Sequence, residues 1–169
     1  MKTTAAHIVT LFTIVLVCGC NQVPVVETAT AKNDSLGEHL INANRYIAGS
    51  EAKQIDGYVE RRGWTPTTLI GGTRVWETVA GSGRIEPDDT VVVDYRLEAI
   101  DGRVFYSHAT DTVVAGRMQP TRGLDAALLT LSHGSEATVI VPSEQGYGVM
   151  GDGDRVGRRM ILVYKVKVK

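Results

Sequence analysis

The sequence predicts an α+β domain: an antiparallel sheet curved around one short helix, with a helical segment ahead of it. Three observations carry this. Apolar residues recur at helical spacing between residues 35 and 63. From residue 73 onward the apolar pattern alternates with a period of two, as in strands with one buried face. A single short helical stripe, Leu124, Leu128 and Leu131, interrupts those strands between Pro120 and Gly134.

The chain has 169 residues, room for one modest domain and an appendage. With 43% hydrophobic and 22% charged residues it can bury a core. The net charge is -1, and Lys and Arg are scattered apart from Arg155, Arg158 and Arg159. That pattern argues against a nucleic-acid partner.

Residues 1–19 read as an export signal. Lys2 is followed by the apolar run from Ile8 to Cys18, which is too short to span a bilayer as a helix. Val17-Cys18-Gly19-Cys20 resembles the lipobox of bacterial lipoproteins. That resemblance implies cleavage after Gly19 and acylation of Cys20. It also implies a membrane-anchored protein outside the cytoplasm, and Asn21 points to the outer membrane. Several acyl chains together hold a protein at a bilayer where one does not. The alternative is an ordinary secretory signal. A metal site at the Cys-x-Cys pair is a poor fit, because no other cysteine exists and the four histidines are scattered. No metal is therefore expected, and the domain is held by its core and not by disulfides.

Residues 20–34 are small and polar and read as a tether. Ser35 and Glu38 form a capping-box pattern that opens a helical segment over residues 35–63. Leu36, Leu40, Ala43 and Ile47 make one stripe. Ala48, Ala52, Ile55 and Val59 continue it, displaced by one residue near Gly49. One weakened helix or two helices are predicted, with Gly63 as the stop. The segment is either packed on its own domain or available as a spacer or homodimer contact.

Residues 64–169 form the sheet domain. Thr73–Val79 reads as a strand, and Val91 to Ala99 as a longer one. Asp101-Gly102 is a hairpin signal, with Val104-Phe105 opening the return strand and a further short strand over Asp111–Val114. Thr121–Leu131 is the short helix, and Glu136–Pro142 another strand. The Gly-rich stretch 143–159 is a loop, and Met160–Val168 closes the sheet. Gly151-Asp152-Gly153-Asp154 lacks the ligand spacing of a calcium loop, and no phosphate-binding helix follows it.

Five motifs in order now point to a family. They are Val92-Val93-Asp94-Tyr95, Asp101-Gly102-Arg103-Val104-Phe105, Arg122-Gly123-Leu124, Val141-Pro142-Ser143-Glu144-Gln145-Gly146-Tyr147-Gly148, and Leu162-Val163-Tyr164. Together they resemble the FKBP-type peptidyl-prolyl isomerases from about Val75 to the C-terminus. The resemblance implies an FKBP-like sheet of five or six strands around one helix, with a pocket between them. It implies a prolyl isomerase that acts on X-Pro bonds of proteins outside the cytoplasm and needs no cofactor. It places Tyr95, Phe105, Tyr147 and Tyr164 on the catalytic pocket walls. It gives substrate-binding places to Thr121 through its backbone N–H, to Leu124 on the floor, and to Val156. The partners implied are proline-containing protein segments.

Departures from the family pattern are also visible. Tyr106 stands where a rim Asp is common, Asp111 where an aromatic is usual, and Leu124 where Trp is usual. The stretch from Ser107 to Arg117 reads as a shortened loop. These changes imply weak or restricted activity, or a binding or chaperone module that holds its partner without isomerising it.

Overall fold

The computed structural model describes residues 28–169, with side chains from Leu36 onward. The signal segment 1–19, Cys20 with the anchoring expected through it, and the first part of the 20–34 tether lie outside the described residues. The globular unit is Leu40–Lys169.

Helix α1 runs over Thr28–Glu60 without a break at Gly49. Among the described residues it is already helical ahead of the Ser35 capping box, because Ala29, Ala31 and Lys32 are good helix formers and no Gly or Pro intervenes. Gly63 ends it in the left-handed conformation at φ 63°. The Gly63 N–H donates to the Glu60 carbonyl, and the Trp64 N–H to that of Val59.

Six strands follow: β1 (Thr67–Thr68), β2 (Arg74–Val79), β3 (Thr90–Ala99), β4 (Val104–Val114), β5 (Glu136–Val141) and β6 (Leu162–Val168). They form one antiparallel sheet in the order β1-β2-β5-β6-β3-β4. Helix α2 (Arg122–Leu128) lies between β4 and β5 in the chain. The α+β architecture expected from the sequence is thus present. Two details differ. Strand β1 carries no apolar alternation and was not expected. The region around residue 107 is not a loop: β4 continues through it to Val114, because pairing with β3 resumes on both sides of the unpaired Ser107 and His108. Register shifts opposite Tyr95, Leu97 and Glu98 absorb the extra residues of β4 as bulges.

The sheet is buried on both faces along β5 and β6. On one face Leu124, Ala127 and Leu128 of α2 meet Val139, Val141, Leu162, Tyr164 and Val166, all in the main core. On the other face Ile55 and Tyr58 of α1 cover Ile140, Ile161 and Val163. Trp64 stacks on Trp76 of β2 at 4.3 Å and meets Tyr58 edge-on at 5.9 Å. The C-terminal half of α1 is therefore packed on its own domain. Each such fully buried aliphatic side chain contributes about 1.5–3 kcal/mol.

Close approach of α2 to the sheet depends on Gly123, where a β-carbon would collide with the Val141 side chain and press on Thr73 Oγ1. Gly123→Ala is expected to destabilise the domain. Overpacking costs about 1–3 kcal/mol against a helix-propensity gain of at most about 1 kcal/mol. Equal or higher stability of the variant in urea unfolding would contradict this packing argument.

Candidate functional site

The residues singled out in the sequence lie on four different elements, and the fold brings them to one region. Tyr95 comes from the middle of β3, Phe105 from the start of β4, Tyr164 from β6, and Leu124 from α2. All four are buried in the main core, as is Val156 of the Gly-rich loop. Tyr147 and Tyr106 are half-buried and pack against the same cluster. Thr121 is the N-cap of α2, and its side chain accepts from the Leu124 N–H at 3.4 Å.

The Tyr95 and Tyr164 rings meet edge-on, 5.5 Å apart at 63°. Alternation explains the pairing, since both face the α2 side while Asp94 and Lys165 face away. The Tyr95 hydroxyl donates to Asp111 Oδ2 at 2.8 Å. Asp111 is reached because Tyr95 pairs with Ala109, and the residue two further along β4 projects from the same face. The Tyr95 hydroxyl thus has a carboxylate partner although position 106 is a tyrosine.

Tyr106 leans away toward the Gly-rich loop. Its hydroxyl donates to Asp152 Oδ2 at 2.7 Å. The other oxygen of Asp152 accepts the N–H of Asp154 at 2.9 Å and of Val156 at 2.8 Å. Arg155 lies over the Tyr106 ring at 5.1 Å and donates to the Phe105 carbonyl at 3.3 Å. Tyr106 therefore ties β4 to the loop and fixes Val156. The sequence contains this signal as the Asp-Gly-Asp run, but the link spans 46 positions and only the fold makes it.

Two polar groups inside the cluster have no partner among the described residues. The Tyr164 hydroxyl is buried without a well-formed hydrogen bond, and Tyr147 and Thr121 lie near enough to influence its ionisation. The backbone N–H of Thr121 donates to no described carbonyl. Buried donors without acceptors are uncommon, and they mark a place where another group is accommodated.

The electrostatics keep the phenols neutral. Burial pushes the Tyr95 hydroxyl well above the ordinary tyrosine range, and its bond to Asp111 adds to the rise. Burial likewise raises Tyr147 and, further, Tyr164. The Asp152 carboxylate beside it raises Tyr106. For Asp152, burial works upward but is outweighed by the Asp154 N–H, the Tyr106 hydroxyl and the Val156 N–H, so its carboxyl is held low. A raised phenol leaves stability intact below the unfolded value near pH 10 and removes it above, where only the unfolded chain ionises. Stability is therefore expected to be insensitive to these tyrosines through the neutral range and to fall above about pH 10. Absorbance at the phenolate band tests this. Reversible titration of all the tyrosines near pH 10 in the folded protein would contradict it.

A separate cleft of about 590 Å³ lies between α1 and the segment around Ser143, and none of Tyr95, Phe105, Tyr147 or Tyr164 lines it. The chemistry-bearing aromatics and this cleft are thus distinct, although the cleft is lined by Gln145 and Gly148 on either side of Tyr147. The aromatic cluster is the better candidate site, because it gathers the residues that the family resemblance singles out, and the cleft holds none of its tyrosines. Among the described residues no His, Cys, Asp and Glu group is arranged to hold a metal ion, and no helix is long and apolar enough to cross a membrane.

Comparison with known proteins bears on the family and the fold of the sheet domain. A family profile described as FKBP-type peptidyl-prolyl cis-trans isomerase matches residues 81–169. The "Probable FKBP-type peptidyl-prolyl cis-trans isomerase FkpA" of Neisseria meningitidis serogroup B is 34% identical over 105 residues, which is 60% of this chain and 38% of that protein. The chain thus matches well under half the length of that relative. The crystal structure of AtFKBP13 superposes with a TM-score of 0.55 at 18% identity, over 61% of this chain and 95% of that one. At that identity the likeness concerns the fold.

Proposed function

Because the chain belongs to the FKBP-type peptidyl-prolyl cis-trans isomerase family, we propose that it accelerates cis–trans isomerisation of X-Pro bonds in proteins outside the cytoplasm, using the aromatic cluster as its pocket. The observation that carries this is the convergence of Tyr95, Phe105, Tyr147 and Tyr164 on one core, with Leu124 and Val156 among them. Phe105, Tyr164 and Val156 hold the pyrrolidine ring above Leu124. The Thr121 N–H receives a substrate carbonyl, and the Tyr147 hydroxyl donates to a carbonyl next to the proline. Tyr95 keeps the wall in place through Asp111.

The barrier to X-Pro rotation is about 18–20 kcal/mol and reflects lost amide resonance. The twisted amide carries less charge separation than the planar one, so an apolar pocket disfavours the planar form and tolerates the twisted one. The chain needs no nucleophile for this. In the same proposal Cys20 is lipidated, anchoring the protein to a membrane outside the cytoplasm, with the outer membrane favoured by Asn21. The outward half of α1, where Leu40 and Ile41 are exposed, is the place for a homodimer contact through residues 35–63.

A second reading keeps the pocket but not the rate: a module that holds proline-containing segments. Tyr106 at the rim and Leu124 on the floor favour it. One assay separates the two. The full chain in mild detergent is mixed with X-Pro peptides varied at the residue before proline, and the isomerisation rate is followed. Acceleration supports the enzyme. Peptide binding without acceleration by folded protein leaves the holding module. Mass analysis of the N-terminal peptide tests the acyl groups on Cys20.

A further inference from the structure

We propose that Glu51 of α1 is a positioning residue for Tyr147, so that the helix ahead of the sheet domain is part of the isomerase site and not only its support. This rests on the reading of the aromatic cluster as the pocket. Glu51 is a charged residue in an apolar stripe, one helical turn from both Ile47 and Ile55, and it is only 7% exposed. Its Oε2 accepts the backbone N–H of Ser143 at 2.9 Å, and its Oε1 accepts the Ser143 hydroxyl. Ser143 is itself buried.

Ser143 is the node on which the Tyr147 segment is wound. It opens the short 3₁₀ turn Ser143–Gln145. Its carbonyl accepts from the N–H groups of Gly146 at 3.2 Å and Gly148 at 2.9 Å, the two residues that flank Tyr147. From the far side, the Tyr147 carbonyl accepts from Gly151 at 3.2 Å and the Gly148 carbonyl from Arg159 at 2.7 Å. Those bonds tie the segment to the loop that carries Asp152 and Val156. The chain of contacts is short: Glu51 holds Ser143, Ser143 holds the turn, and the turn sets Tyr147.

Burial of a carboxylate is a poor way to pack a helix. A buried charge pays for its desolvation only through its bonds, and an apolar residue of similar size commonly serves stability as well or better. Ile47 and Ile55 show that the stripe accepts such a residue. The cleft of about 590 Å³ beside Glu51, lined also by Ala52, Gln145 and Val149, leaves this side of α1 loosely filled. Removing the Glu51 bonds therefore leaves the turn free to shift and does not simply collapse the packing around it.

The test uses the full chain and two variants, Glu51→Gln and Ser143→Ala, each also made with Tyr147→Ala. Glu51→Gln keeps size but replaces two charged acceptors by one neutral oxygen and one amide donor, so the Ser143 hydroxyl loses its acceptor and the bonds to Ser143 weaken. The expected result is a loss of about tenfold in kcat/KM for each single variant, with no further loss when Tyr147 is already alanine. Equal losses with and without Tyr147 would mean a general anchor and overturn the proposal. A second readout needs no activity: the ring resonances of Tyr147 are expected to move in Glu51→Gln, while those of Tyr95 stay. If the wild-type chain isomerises nothing, the enzyme reading fails, and the Tyr147 resonances still decide the positioning. Unmoved resonances overturn it whatever the activity.

Discussion

Asp125→Ala is expected to cost on the order of 3 kcal/mol of stability and to lower the melting temperature by roughly 10 °C. Asp125 is 4% exposed, in the first turn of α2. Its two oxygens accept the N–H groups of Gly116 at 2.8 Å and Met118 at 2.9 Å. Those donors belong to the connection that leads from β4 to Thr121, so the carboxylate clips the connection to the helix it feeds. Alanine leaves two backbone donors without their charged acceptor at a part-buried place, where the carboxylate itself is buried although Gly116 and Met118 are exposed, and it unties the connection from the helix. Asp125→Asn retains a single oxygen and is expected to lose about half as much. Because Thr121 follows the clipped connection, peptide affinity should fall along with stability in both variants. Thermal unfolding of the two against wild type measures the first effect. Equal melting temperatures for Asp125→Ala and wild type would show that the clip carries no weight.

The second large effect is on catalysis. Tyr147→Ala removes a half-buried ring from the edge of the pocket together with its hydroxyl. The expected outcome is a fall in kcat/KM of at least about tenfold, equivalent to about 1.4 kcal/mol of transition-state binding. Tyr147→Phe separates the contributions. If the hydroxyl donates to the substrate carbonyl mainly as the amide twists, Tyr147→Phe lowers kcat with little change in KM. If the ring serves only as a wall, Tyr147→Phe behaves as wild type and only the alanine variant is impaired. Full activity in both variants, from folded protein, would remove Tyr147 from the site and with it the proposed role of its hydroxyl.

The alternation of β3 and of the end of β6 from Tyr164 onward was legible in the sequence because one-sided burial there imposes a period of two, whereas Val163 is covered by α1 on the second face. Val91, Val93 and Tyr95, and Leu162, Tyr164 and Val166, are buried as that period requires. The Asp101-Gly102 turn was legible for a different reason: a tight hairpin needs a residue that tolerates positive φ, and Gly102 sits at φ 92°. Helix α2 was marked by its leucine spacing, though not by its length. Helix α1 is described from Thr28, a turn or two ahead of the Ser35 capping box, because a capping box inside a run that tolerates helix is indistinguishable by local pattern from one at a terminus.

Tyr106 and Asp111 show where local reading stops. Judged against the family pattern, each looks like a loss. In the fold Asp111 meets the Tyr95 hydroxyl, and Tyr106 meets Asp152. Neither pairing leaves a trace in spacing, because the register of β4, with its bulges opposite Tyr95 and Leu97, sets which side chains face one another. Glu51 belongs to the same class. In sequence it interrupts an apolar stripe, and only the docking of α1 beside β5 reveals Ser143, 92 positions away, as its partner.

The sequence by itself determined the class of fold and the order of β2 to β6 along the chain, since burial and backbone geometry act through near neighbours and leave periodic marks, while the grouping of Tyr95, Phe105, Tyr147 and Tyr164 came from the resemblance of its motifs to a family. Tertiary structure alone decided the pairing of strands into the order β1-β2-β5-β6-β3-β4, the packing of α1 against Ile140 and Val163, and the partners of Asp111, Asp152, Asp125 and Glu51. The reason is physical. A buried polar group must find whichever complementary group the chain folding brings within about 3 Å, and that choice is made by long-range register and packing.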